Sequence, residues 1–157
     1  MNRGFTLIEL MLSIAILAIL ASVAAPSFTR LIQDNRVTTE ANGLLSSIAL
    51  ARFEAIKRGV TVTVTPTSGN YASGWCVHTG ANCATGKLQQ SEAVTGVSLG
   101  GASVSTAIAF DSFGVNAAQV ARTITIDPPS CTSGDTRRRT LTVNPSGHSA
   151  ITVGACP

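Results

Sequence analysis

No catalytic signature stands in this sequence. It has no G-x-S-x-G elbow, no phosphate-binding loop and no H-E-x-x-H pair, and its eight acidic residues show no paired arrangement suited to general acid–base work. A non-enzymatic role is therefore expected, with no cofactor and no resident metal. Charge is scarce as well. Charged residues make up 12% of the chain, and a formal net charge of +3 neither demands nor excludes an acidic partner, so the placement of the basic residues must decide. No internal repeat and no long disordered linker is evident. The 157 residues suffice for one compact body once an apolar N-terminal segment is set aside.

That segment is the first positive feature. Hydrophobic residues make up 45% of the chain, and much of the excess falls in the first 25 residues. The 21 residues from Phe5 to Ala25, at about 1.5 Å each, are long enough to cross the roughly 30 Å hydrocarbon layer of a membrane. Arg3 precedes them, which places the N-terminus in the cytoplasm and the remainder outside. A cleaved secretory signal is the plainer alternative, with Val23 and Ala25 as small residues before Pro26. Proline just after a cut is unfavourable, however, and Glu9 interrupts the apolar region. A charge inside a bilayer helix costs about 2.5–3.5 kcal/mol on the insertion scale, so a mere anchor gives Glu9 no reason to be there.

Beyond Pro26 the pattern becomes that of an amphipathic helix. Val37, Ala41, Leu44, Leu45, Ile48, Ala51, Ala55 and Ile56 recur at steps of three and four, while Arg30, Asp34, Arg36, Glu40, Glu54, Lys57 and Arg58 keep mainly to other faces. Lys57 and Arg58 followed by Gly59 form a stop signal. The rest is rich in Thr, Ser, Gly and Val, which suits strands and turns. Strands are expected at Val60–Pro66, Trp75–His78, Ser103–Phe110, Arg122–Ile126, Thr140–Asn144 and Ser149–Val153. Turn signals lie at Ser68-Gly69-Asn70, Asp111 to Gly114, Asp127-Pro128-Pro129 and Pro145-Ser146-Gly147. An antiparallel sheet wrapped against the helix is the economical α+β architecture.

Four cysteines, Cys76, Cys83, Cys131 and Cys156, all fall on the exported side, where an even count reads as two disulfides. Of the three pairings, Cys76 with Cys83 and Cys131 with Cys156 is favoured. The first closes a short loop, and the second ties the tail to a Pro-rich turn. Chain entropy assigns such loops about 2.5 and 3.5 kcal/mol. Cys76, His78 and Cys83 also offer soft ligands within eight residues, but no fourth ligand is supplied locally and export favours oxidation. Both His78 and His148 read as surface residues. Arg137-Arg138-Arg139 is a compact basic run of the kind that attracts phosphate. Its plain reading is a solvated approach to a strand.

Gly4-Phe5-Thr6-Leu7-Ile8-Glu9-Leu10 resembles the class III signal of type IV pilins and of the pseudopilins of type II secretion. The resemblance implies removal of residues 1–4 by a prepilin peptidase, with the cut between Gly4 and Phe5 and N-methylation of Phe5. Residues 5–25 become a transmembrane and assembly helix, and residues 26–157 an exported pilin-like domain that includes the helix's second half. It implies that Glu9 pairs with the Phe5 amine of a neighbouring subunit, fixing axial register, since a subunit out of step buries both charges unpaired. Pro26 is then expected to bend or locally melt the helix.

The order of elements through the rest of the chain is similar to that of the GspH/FimT (FimU-like) branch. It runs from a long helix through a VTVTV strand, a Gly-Trp strand and the Phe-Asp-x-x-Gly turn at Phe110–Gly114 to a closing hairpin at Pro145-Ser146-Gly147. That implies a pilin-like fold, a long helix on antiparallel sheets, and a minor pilin or pseudopilin that primes or caps a type IV pilus or secretion pseudopilus. It implies other minor and major pilins or pseudopilins as partners, with an inner-membrane assembly platform, and a single-pass inner-membrane protein with its domain in the periplasm. Capture of DNA for uptake is the alternative. DNA-uptake members carry Gly-Arg-x-Arg in the closing hairpin, and the matching Gly147-His148-Ser149-Ala150 lacks both arginines.

Overall fold

The computed structural model describes residues 6–157, with the side chains of residues 23–26 excepted. The expected processing site, Gly4 and Phe5, lies outside the described residues, as does the side chain of Pro26.

One helix, α1, runs from Leu7 to Arg58. Thr6 caps its start, its hydroxyl accepting from the Glu9 N–H at 3.3 Å, and Glu9 stands in the first turn, where a carboxylate complements the helix dipole. At the far end Gly59 adopts the left-handed conformation (φ +66°) that glycine enters without strain, and its N–H reaches the Ala55 carbonyl at 2.9 Å. The helix is not interrupted at position 26, where a bend or local melt was expected.

Among the described residues, eight strands form two antiparallel four-stranded sheets. The first contains β1 (Val62–Pro66), β2 (Trp75–His78), β3 (Lys87–Ser91) and β5 (Ile108–Phe110), in the order β3-β2-β1-β5. The second contains β4 (Ser98–Gly100), β6 (Arg122–Asp127), β7 (Arg138–Val143) and β8 (Ser149–Gly154), in the order β4-β6-β7-β8. Alternation decides what faces inward. Val62 and Val64, Ile124 and Ile126, and Leu141 and Val143 are buried, while the residues between them are half-exposed.

The helix lies between these inner faces, its stripe of Val37, Ala41, Leu44, Ile48, Ala51 and Ala55 almost wholly buried against both sheets. Each large apolar side chain so buried contributes about 1.5–3 kcal/mol, and the alanines let the strands approach closely. Trp75 and Tyr71 close the core beside β2, with Tyr71 donating its hydroxyl to the Val64 carbonyl at 3.1 Å.

Two strands lie outside the expected set, β3 and β4, and both are edge strands. β3 is polar (KLQQS) and mostly solvated, and β4 is only three residues long, so neither carries an apolar alternation. The expected strand from Ser103 shrinks to Ile108–Phe110. Ser103 is instead drawn into a turn beside β6, its N–H on the Thr123 carbonyl at 3.0 Å and its hydroxyl accepting from the Thr123 N–H at 3.2 Å.

Candidate functional site

The N-terminal half of α1 is the most unusual surface of the molecule. It holds an 18-residue stretch of mean hydropathy 2.5, none of which is buried against the rest of the chain. Leu7, Ile8, Leu17 and Ile19 each expose two thirds of their surface or more. The polar residues within the stretch are turned onto its own backbone. Ser13 donates to the Glu9 carbonyl and Ser22 to the Ile19 carbonyl, each at 2.7 Å. The Glu9 carboxylate has no cationic partner among the described residues. An apolar rod with one unneutralised charge needs a complementary surface outside this chain, since burial of that charge in hydrocarbon or protein requires a cation.

Two polar braces fix the rod to the folded head. In the upper one, Arg52 donates from Nε to the Gly114 carbonyl at 2.9 Å and reaches the Ser146 carbonyl at 3.5 Å. The turn it grips is held by Asp111, whose Oδ1 accepts from the N–H groups of Phe113 and Val115 at 2.9 Å each. The Asn116 N–H joins this turn to the Pro145 carbonyl at 3.1 Å. Gly147 (φ +81°) lies so close to Gly114 that a Cβ there would collide with its carbonyl oxygen. The Phe110–Gly114 and Pro145–Gly147 turns, separate motifs in the sequence, are thus one structure over Arg52. Nothing in the sequence singled out Arg52, which reads as one more polar residue flanking the helical stripe.

The lower brace consumes the basic run. Arg137 pairs with Asp34 (Nε to Oδ1, 2.7 Å) and donates to the Ser130 carbonyl at 2.9 Å and to Gln33 Oε1 at 3.1 Å. Arg138 forms two bonds of 2.7 Å with the Asp127 carboxylate, which raises its already high pKa. Arg139 lies on the same face of β7 as the buried Leu141 and Val143. The three arginines therefore point to different partners and do not form one free phosphate-binding face.

The cysteines pair as Cys76–Cys83 (Cα–Cα 5.9 Å) and Cys131–Cys156 (5.4 Å). The tail is fixed further by the Cys156 N–H on the Asp135 carbonyl at 2.7 Å. His78 is a correction to the sequence reading. It was expected on the surface and is 97% buried, because the hairpin closed by Cys76–Cys83 folds back over the outer face of β2. His148 is exposed as expected, and with Ser149 it borders a shallow cleft of about 310 Å³ against Ala49, Arg52, Phe53 and Ile56 of α1.

Most of the helix's head-bound half, the strands from β1 to β7 and both braced turns fall within the stretch that a known family matches. The family model described as type II transport protein GspH matches residues 40–147, from within the buried stripe to the turn under Arg52. The chain belongs to the GspH family. A second model, the prokaryotic N-terminal methylation motif, matches residues 1–25. No curated protein matches.

Two crystal structures of the Pseudomonas aeruginosa (strain PAO1) type IV minor pilin FimU share the fold of this GspH-family chain. One aligns with a TM-score of 0.63 at 17% identity, covering 78% of this chain and 96% of FimU. The other gives 0.61 at 17% identity, covering 76% and 99%. The family and its fold neighbours are pilins and transport subunits rather than enzymes. As a GspH-family chain with an N-methylation motif, the protein is a minor pilin or pseudopilin, a class of subunit that is anchored in membranes and assembles with other pilins.

Proposed function

We propose that this chain primes or caps a filament, either a type IV pilus or a type II secretion pseudopilus, as a low-abundance subunit without enzymatic activity. The observation that carries the reading is the exposed apolar half of α1 with its single unneutralised carboxylate, continuous with a helix locked into a rigid head. In this reading a prepilin peptidase removes residues 1–4 by cutting between Gly4 and Phe5, and Phe5 is methylated. Residues 5–25 sit in the inner membrane until an assembly platform lifts the subunit out, and residues 26–157 stand in the periplasm. Lateral packing of such helices buries Glu9, and the Phe5 amine of the adjacent subunit supplies its cation. Pro26 is the place where this packing can bend the helix.

The decisive experiment follows the tagged chain in cells that make its filament. Mass spectrometry is expected to find a mature N-terminus at Phe5, lost with Gly4→Ala. Purified filaments are expected to contain the chain in small amounts beside the major subunit. Absence from filaments of both kinds, with processing intact, overturns the assembly role.

DNA capture is not favoured by the basic run or the closing hairpin among the described residues, because Arg137 and Arg138 are committed to carboxylates and the hairpin presents His148 and Ala150.

A further inference from the structure

The outer face of β2 carries a donor set that filament assembly does not use. Cys76 and His78 stand two apart on one strand and so share a face, and the hairpin returns Cys83 to them. The two sulfurs and a ring nitrogen of His78 lie within 4.8 Å of one another. No other group of three or more Cys, His, Asp or Glu close enough to hold an ion occurs among the described residues. The Cys131–Cys156 bridge has a carboxylate beside it, Asp127, but Arg138 holds both of its oxygens.

We propose that reduction of the Cys76–Cys83 bridge converts this cluster into a binding site for a thiophilic cation, zinc foremost, with Cys76, Cys83 and His78 as its three protein ligands. In the oxidised chain each sulfur is bonded to the other and neither is a thiolate. The imidazole is nevertheless already set as a ligand. Its Nδ1 lies 2.9 Å from the Gly80 carbonyl, which can only accept, so Nδ1 carries the hydrogen and Nε2 the lone pair. A backbone carbonyl holding the far nitrogen is the arrangement that orients metal-binding histidines. Nε2 now accepts from the Thr65 hydroxyl at 2.9 Å, a bond that a cation can replace by turning one rotor.

The dimensions are compatible. Zinc–sulfur and zinc–nitrogen distances of about 2.3 and 2.0 Å place tetrahedral ligands about 3.5–3.8 Å apart, so the reduced sulfurs move apart and the ring turns in toward them. The Cα–Cα distance of 5.9 Å allows this by side-chain rotation. Three protein ligands leave a fourth position for water.

The chemistry balances with a dithiol as reductant. Its thiolate attacks the Cys83 sulfur, on the less buried of the two residues, and Cys76 leaves as thiolate. The second thiol of the reductant resolves the mixed disulfide, releasing Cys83 and departing as a disulfide. Binding of the cation then displaces the two thiol protons.

The test uses the full chain in detergent micelles, reduced under argon with excess dithiothreitol, desalted and titrated with cobalt(II), with zinc(II) as competitor. One cobalt per chain is expected, with thiolate-to-cobalt charge-transfer and tetrahedral d–d absorption that one equivalent of zinc removes. The oxidised chain is expected to show neither. Cys83→Ser abolishes the bands, Cys131→Ser/Cys156→Ser leaves them, and His78→Gln weakens the affinity by about 100-fold. Thr65→Val keeps all three ligands and frees Nε2, so tighter binding is expected there even if a ligand variant fails to fold. No thiolate–cobalt band in the reduced wild type, indifference to His78→Gln, or unchanged or weaker binding in Thr65→Val overturns the assignment.

Discussion

Arg52, on the helix, donates to the carbonyl oxygen of Gly114, sixty-two residues further along the chain, at 2.9 Å. A guanidinium on a backbone carbonyl is a charge-assisted bond, and this one holds together two turns whose own hydrogen bonds already converge. The helix end, the β5–β6 connection and the closing hairpin are thereby joined at one side chain.

Arg52→Ala is accordingly expected to destabilise the head by about 1–3 kcal/mol, the range for removing a charged hydrogen-bonding partner. Arg52→Lys should recover only part of this, because an ammonium lacks the fork that spans Gly114 and Ser146. Thermal unfolding followed by circular dichroism measures both. An Arg52→Ala protein that melts with the wild type removes the brace from the account.

Glu9→Ala should leave membrane insertion and head folding intact and abolish incorporation into filaments. An unpaired amine among packed helices costs about 3–5 kcal/mol, which is on the order of 100-fold or more against assembly. Quantifying the variant in purified filaments beside native partners checks this, and undiminished incorporation refutes the register role.

Acid should weaken the end of α1 through Glu54. A hydrogen bond from Arg58, reinforced by the charges of Arg58 and Lys57, holds this mostly buried carboxyl below its ordinary value of 4.5 against the opposing effect of burial. Because the folded pKa is the lower one, the stabilisation is complete above about pH 4.5 and is lost as pH falls below that value through the folded pKa. Melting curves between pH 6 and pH 3 should therefore show an acid-side loss that is smaller in Arg58→Gln. Equal losses in the two proteins would rule the pair out as its source.

Binding to duplex DNA at pH 7.5 and physiological salt is expected to be weaker than about 10⁻⁴ M, the weak end of the non-specific range. With Arg137 and Arg138 held by carboxylates and Arg139 on the inward-facing side of β7, at most one arginine of this run can meet phosphate, so the run should add no more than about −0.9 to the slope of log affinity against log salt. Micromolar binding that disappears when all three arginines become alanine would make DNA capture the leading function.

The sequence made the helix and the central strands visible because periodicity reports burial. Val37 to Ala55 repeat at helical spacing, and Ile124/Ile126 and Leu141/Val143 alternate, because each set faces one core. The edges β3 and β4 bury too little to leave a pattern. Burial of His78 was hidden for a related reason: its cover is a loop, and loops carry no periodicity. The partners of Arg137 and Arg138 were equally out of reach, since Asp34 lies 103 residues away and Asp127 is brought in by strand pairing. A run of like charges in sequence is no guide to the field it makes once each member has a different neighbour. The exposed apolar stretch of α1, by contrast, was legible from composition alone, because a segment that packs on nothing else in the chain owes nothing to the rest of the fold.

A single rod, α1, leaves the membrane-compatible segment and passes between two sheets without a joint among residues 33–58. A pull applied to its apolar end is therefore carried as shear along the whole buried stripe, not as peeling from one edge. Every contact from Val37 to Ala55 resists at once, Arg137 and Asp34 take load at the point of entry, and Arg52 takes it at the far end. The head is in effect a sleeve crimped onto a cable, with tension along the helix shared by the whole stripe.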